Sequence, residues 1–323
     1  LEYDEVKLLS GLGHDVFSTG TYACPWYRPG MIRPGIDSLT HHPDLESLAS
    51  TIVSSGYEIP DELIDWADTI IFMHLPEALQ KNMAKFKGKR VIYRSIGQSV
   101  GHLELMLSTF RSAGVEVIRY SPNEGNLPNY AGADAMIRFY KDPADFKPWT
   151  GEIVRVVNFT QSMTQRAPYV QKSEMMRSTR GIDRMFYGVG NEDLGIEWGG
   201  KPDYDQMLSI LSQNRAYIYG GTWPASYTLS FIEAFMSGIP IAAVGSNLFD
   251  KVGHFPNVYE IPNIIENGVT GYVSDKTYDI NTFLRKVMDD IGLATAISRS
   301  ARARAIDLFG IVTIRNQWEE FLK

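Results

Sequence analysis

The spacing of apolar positions changes period along the chain. Residues 2–12 carry Val6, Leu8, Leu9 and Leu12 at helical spacing, and Gly13 ends the run. Short runs of β-branched and aromatic residues at 14–19, 68–73, 90–94, 115–120 and 135–139 predict strands. Helical patterns at 76–86 and 102–113 lie between them. Residues 141–151 (KDPADFKPWTG) are polar, hold two prolines and read as a linker. The alternation then restarts with strand 153–159, a helix near 170–179, strand 184–189, helix 204–213, strand 216–219, helix 228–237 and strand 239–244. Helical patterns at 279–291, 293–308 and 311–321 close the chain. This rhythm predicts an α/β fold of two Rossmann-like domains facing across a crevice, each a parallel sheet flanked by helices. The expected division is 1–148 and 149–323, with the last helix, 311–323, crossing back to the first domain.

Ligands of open α/β sheets bind outside the carboxyl ends of the strands. This selects residues 19–28, His74, 94–98 and 121–126 in the first half. In the second half it selects 160–166, 188–193, 220–228 and 245–247. The most informative segment is 220–245, GGTWPASYTLSFIEAFMSGIPIAAVG. A Gly/Pro loop leads into a helix whose first turn holds Ser226, Tyr227, Thr228 and Leu229. Gly238 supplies the C-cap and Pro240 prevents continuation. Free amides at such a helix start attract phosphate. Glu233 follows Ser226 by seven residues and Leu229 by four, so the three share a face. Phe231, Ile232 and Phe235 surround it, and a carboxylate among apolar residues needs partners. Two ribose hydroxyls would serve. On the helix pattern alone, a capped core helix whose Glu233 reaches solvent accounts for the same residues.

Segment 220–245 resembles the signature of GT-B fold glycosyltransferases, in particular the retaining family-4 group. The family pattern runs Glu, seven residues, Glu-Ala, small-Gly-x-Pro and an apolar strand. Glu233, Ala234, Ser237, Gly238, Pro240 and IAAV match its second half. Residues 259–273 resemble the family's acidic-Asn-Gly loop and final strand, and 302–322 its closing helices. The resemblance covers about the last 120 residues well and the rest by rhythm only.

The resemblance implies an enzyme, a retaining hexosyltransferase-type glycosyltransferase. It would move a sugar from a nucleotide-activated donor to a hydroxyl of a carbohydrate, lipid-linked or other acceptor. It implies no metal and no cofactor besides that donor. The diphosphate would lie on the helix start at Thr228 and Leu229, with Ser226, Tyr227 and Gly190 beside it, and Glu233 would hold the ribose. The family grips the diphosphate with an Arg just after a strand like 153–159 and a Lys about five residues on. Here Arg166 and Lys172 are the cations in reach; Arg166 is assigned to the diphosphate and Lys172 to the solvent face of its helix. His74 resembles the family's strand-end His, and Gln98 is a polar neighbour. With Arg166 they are the candidate catalytic residues, and a structural role is the alternative for His74. In a retaining transfer the leaving phosphate itself can deprotonate the acceptor, so no protein base is required.

Two departures change what is expected. Ala225 stands where the family has its first Glu, and Ser226, Tyr227 and Thr228 replace the Gly that follows. Sugar contact must then differ. A GT-B-like binding module without catalysis is one alternative; a transferase glycosylating modified nucleic-acid bases is another. The first half of a GT-B protein is built around its opening strand, whereas this chain opens on helix 2–12. Roughly ten further residues upstream are therefore expected to supply that strand, beside the one at 68–73.

Composition narrows the class. The 323 residues are 44% hydrophobic and 21% charged, ordinary for globular domains. The net charge of −7 argues against a nucleic-acid clamp. A single cysteine, Cys24, excludes an internal disulfide and fits a reducing compartment. With no signal peptide and no apolar run near the ~18 residues of a membrane span, a cytoplasmic protein is expected. Residues 20–44 read as a long loop with Tyr22, Trp26, Tyr27 and two Arg, either the lining of a sugar-bearing acceptor site or a disordered segment. Asp203-Tyr204-Asp205 resembles a metal-binding DxD but sits at a helix start, where Asp caps amides. His41, His42 and Cys24 lack zinc spacing.

Overall fold

The computed structural model describes residues 1–19, 42–73, 75–97, 100–245 and 256–323. They form two compact units. The first comprises Leu1–Pro122, Pro128–Tyr140 and Ile314–Lys323; the second comprises Asn123–Leu127 and Lys141–Thr313. Among the described residues no helix is long and apolar enough to cross a membrane.

The first unit opens with α1 (Glu2–Gly11), α2 (Pro43–Ala49), α3 (Thr51–Ser54) and α4 (Asp61–Trp66). A parallel sheet follows in chain order: β1 (Thr69–Met73), β2 (Arg90–Arg94), β3 (Glu116–Arg119) and β4 (Ala135–Met136). Thr69 lies opposite Arg90, Ile92 opposite Glu116, and Ile118 opposite Ala135. Val91, Ile92, Val117 and Ile118 are buried, as expected of parallel strands covered on both faces. α5 (Pro76–Asn82) and α6 (Gly101–Ser112) place Leu79, Leu107 and Phe110 in a core with Phe72 and Phe86.

Among the described residues, the buried ion pairs of this unit include Arg94–Glu5 and Arg119–Glu104. Arg94 Nε donates to Glu5 Oε1 at 2.9 Å. Arg119 donates to both oxygens of Glu104, at 2.8 and 2.7 Å, and the amide of Ala131 also donates to Glu104. Trp318, from the last helix, is fully buried 5.9 Å from the Arg94 guanidinium.

Three expectations need correction. Residues 14–19 form no strand. Among the described residues no strand pairs with them, and a single extended segment has no ladder to join. They are held by side chains instead: Phe17 packs edge-on against His42 and Trp66, and Ser18 donates to Glu2. The strand expected at 135–139 stops at Met136. The chain beyond it leaves the ladder but stays buried, with Phe139 stacked on Tyr120 at 4.5 Å. Residues 141–151 are not a solvated linker: Lys141 is 1% exposed and Phe146 is buried. Trp149 donates to the carbonyl of Asn214 at 2.8 Å and packs on the core.

The second unit is a five-stranded parallel sheet in the order β6-β5-β7-β8-β9. Its elements are β5 (Ile153–Phe159), α7 (Lys172–Ser178), β6 (Arg184–Tyr187), α8 (Tyr204–Gln213), β7 (Asn214–Tyr219) and α9 (Leu229–Ser237). Then come β8 (Ile241–Val244), α10 (Ile261–Ile264), β9 (Tyr272–Ser274), α11 (Thr277–Asp289), α12 (Ile291–Phe309) and α13 (Ile311–Leu322), whose end belongs to the first unit. Every residue of β7 and β8 is buried. α7 and α11 pack together, and α8 and α12 pack on α9. From β5 the chain steps to β6 on one side and then to β7 on the other. The carboxyl ends of β5 and β7 are therefore the topological switch point, where connecting loops part and ligands bind.

Candidate functional site

Two loops and a helix start meet the switch point. The loop after β7 runs directly into α9. Gly220 begins it because a Cβ there would lie 2.4 Å from the carbonyl oxygen of Val170. Thr228 is the N-cap of α9, its hydroxyl accepting a long 3.4 Å bond from the Phe231 amide. Gly238 closes the helix in the left-handed conformation, φ 82°. The cap falls two residues later than a first turn holding Ser226 and Tyr227 would require. Both precede the helix and are buried, with the Tyr227 ring edge-on to Phe309 at 5.4 Å. Thr228, Leu229 and Ser230 are half-exposed. The amides of a helix's first turn have no acceptor within the helix.

A hydroxyl cluster lies under this turn. Thr228 Oγ1 is 3.1 Å from the Tyr219 hydroxyl and 2.9 Å from Ser230 Oγ. The Tyr217 hydroxyl accepts from the Phe159 amide at 3.3 Å, linking β7 to the end of β5. The Tyr259 hydroxyl donates to Val244 O at 2.9 Å. Burial pushes the Tyr217 phenol up to about 12, and it raises Tyr219 and Tyr259 as well. A pKa raised on folding adds stability that is complete below the unfolded value and is lost as pH rises through the folded one. The window here opens near the ordinary tyrosine value of about 10 and reaches about 12. Tyrosinate absorbance and circular dichroism followed together should show these phenols ionising only as the second unit unfolds. Ionisation of every tyrosine near the ordinary value with the fold intact would contradict it.

Glu233 lies one turn into α9, its side chain 9% exposed. Its partner is Lys141, whose Nζ is 2.9 Å from Oε1 and 5.5 Å from the centre of the Tyr204 ring. The sequence pattern offered ribose or solvent for this carboxylate and missed the lysine, which lies in the stretch taken for a linker.

The loops after β5 and β6 are stitched together. Ser162 N donates to Val189 O at 2.8 Å, Met163 N to Asn191 Oδ1 at 2.8 Å, and Asn191 Nδ2 to Thr160 O at 2.6 Å. Gly190, at φ 77°, packs against Ser162, whose hydroxyl would lie 2.7 Å from an added Cβ. Arg166 follows on this loop, half-buried, with its guanidinium 3.4 Å from Gln161 O. Lys172 is not on the solvent face. Its side chain is 21% exposed, donates to Thr164 Oγ1 and lies 3.6 Å from Asp193 Oδ2. The Thr164 hydroxyl also donates to Asp193, and that bond, with Lys172 nearby, holds the Asp193 carboxyl below its usual range.

Arg94 and Ser95, at the end of β2, are buried, Arg94 against Glu5. His102 is exposed on α6. His74 and Gln98 lie outside the described residues, as do Tyr22, Trp26 and Tyr27 and residues 246–247. Asp203 caps α8 in a reciprocal box with Gln206, as the reading of the DxD proposed. A depression of about 610 Å³ lies beside it, lined by Tyr187, Gly199, Lys201, Pro202, Asp205 and Gln206 among others. No sequence signal marked it.

No protein-family model and no curated protein sequence matches this chain. Solved structures do. HepE of Anabaena, crystallised with UDP and glucose, superposes with a TM-score of 0.65 at 15% identity over 99% of this chain and 95% of that one. A glycosyltransferase of Rickettsia africae gives 0.65 at 16% identity over 99% and 94%. Sucrose-phosphate synthase of Thermosynechococcus elongatus gives 0.60 at 13% identity over 90% and 79%. The fold is GT-B. At these identities the likeness is one of fold.

Proposed function

We propose that this protein is a glycosyltransferase that moves a sugar from a nucleotide-activated donor to an acceptor hydroxyl, with retention and without a metal. The observation that carries this is the position of Glu233. It is a nearly buried carboxylate on the helix whose first-turn amides open at the switch point of the second sheet. Phosphate suits those amides and a ribose diol suits that carboxylate. The GT-B neighbours support the reading: HepE was solved with UDP-glucose, and TarM of S. aureus with UDP and alpha-GlcNAc-glycerol. In this reading Thr228 and Leu229 face the diphosphate, and Gly190 lets the backbone approach it. Arg166 meets the charge that grows on the leaving phosphate, which itself takes the acceptor proton. The family resemblance, not the fold, carries retention.

Thermal shift with UDP, GDP, ADP and their sugar conjugates, followed by donor-hydrolysis and transfer assays, tests the proposal. A nucleoside diphosphate at 100 times its Kd should add about 2.7 kcal/mol of stability. No shift with any nucleotide would remove the reading. Binding without turnover would favour the second reading, a GT-B-like binding module, for which Ala225 in place of a carboxylate is the motive.

Arg166→Ala should lower kcat more than it weakens donor binding, because the charge it meets is greatest in the transition state. A loss confined to Kd would move the assignment to Lys172.

A further inference from the structure

The Lys141–Glu233 pair is built into the fold from several directions. Residues 141–146 form a strap joined to α9 and to the end of α12. The Lys141 amide donates to Phe309 O at 3.0 Å, and Lys141 bridges Gly310 in parallel fashion. Arg302, on α12, donates to Pro143 O at 2.9 Å and to Met236 O near the end of α9. The strap is therefore tied to α9 at Glu233 and again, through Arg302, one turn on. A lysine 1% exposed would be costly without an anion, and Glu233 supplies it.

The pair leaves an asymmetric carboxylate. The contact falls on one oxygen, with Oε1 2.9 Å from Lys141 Nζ. A charge-assisted bond at one oxygen sets the plane of the group. It also balances a negative charge that would otherwise stand near any bound diphosphate. A bare glutamate would have neither property.

We infer that Lys141 is a positioning residue for the nucleotide: by holding Oε1 of Glu233 it presents Oε2 to the ribose hydroxyls and cancels the charge that would repel the diphosphate. This rests on the nucleotide-sugar reading of the same site. Lys141 touches no ligand itself. It acts through Glu233, so its removal should erase the recognition of ribose hydroxyls rather than binding in general.

Calorimetric titration with UDP, GDP and ADP and with their 2′-deoxy and 3′-deoxy forms tests this in wild type, Lys141→Met, Glu233→Gln and the double variant. Wild type should prefer a ribonucleotide over at least one deoxy form by about tenfold or more, the scale of one hydrogen bond to a charged group. Lys141→Met and Glu233→Gln should each bring that ratio close to one, and the double variant should lose nothing further. A purely structural lysine would weaken ribose and deoxyribose forms alike and leave the ratio intact; that result overturns the inference while the nucleotide reading stands. If Lys141→Met does not fold, Lys141→Gln serves with the same ratio as readout. Should wild type bind none of the nucleotides, the reading falls and the inference with it.

Discussion

Glu233→Gln should weaken nucleoside-diphosphate binding by about 1.5–3 kcal/mol, the range for hydrogen bonds to a charged group. The amide keeps the shape of the side chain and can still accept from Lys141, so the fold should survive. Glu233→Ala is a harsher change. It leaves the 1%-exposed Lys141 facing a gap, and breaking one half of a buried pair costs about 3–5 kcal/mol of stability. The two variants therefore separate the roles. Titration calorimetry on Glu233→Gln reads the ligand, and urea unfolding on Glu233→Ala reads the fold. Unchanged affinity of Glu233→Gln for every nucleoside diphosphate would end the assignment of this carboxylate to ribose.

The largest stability effect in the first unit is expected from Glu104→Ala. Glu104 is fully buried on α6, accepts two bonds from Arg119 on β3, and takes a third from the Ala131 amide. Its removal takes the carboxylate from a guanidinium that is 1% exposed, leaving Gly132 O as an acceptor for Nε, and takes the acceptor from the Ala131 amide. About 3–5 kcal/mol should be lost, measurable as a shift of the urea midpoint at constant m. Replacing both partners together, Glu104→Leu with Arg119→Leu, should recover much of the loss, because no charge is then left buried. A single-variant loss below about 1 kcal/mol would mean that Arg119 finds water or another acceptor.

Both predictions concern charges whose burial could not be read along the chain. Glu104 and Arg119 are ordinary residues of a helix and a strand, and their pairing appears only when α6 packs on the sheet. Lys141 sits in a stretch with two prolines and several charges, the composition of a linker. It is buried because Phe309 at the end of α12 and Gly310 just after it meet the strap while α9 presents Glu233. Lys172 stands at the first position of its helix, where lysine is usually solvated, but Thr164 and Asp193 from two other loops draw it in. Residues 14–19 have strand-like composition and no strand, because a ladder needs a neighbour. His74 and Gln98 lie outside the described residues, so their assignment stays a proposal.

What the sequence determined by itself is local. The start of α8 follows from Asp203 and Gln206, three residues apart. The end of α9 follows from Gly238, and most parallel strands of both sheets follow from runs of β-branched residues between helical patterns. Each of these depends on hydrogen bonds or side-chain periodicity between near neighbours, which the order of residues specifies. The tertiary structure alone decided the order β6-β5-β7-β8-β9, and with it which carboxyl ends form the switch point. It also decided that Ser226 and Tyr227 are buried ahead of the candidate helix, which Thr228 caps, and that the carboxylate of Glu233 shares its charge with Lys141. Those outcomes depend on which distant groups are desolvated together. The cost of burying a charge is met only by a partner that folding brings into contact.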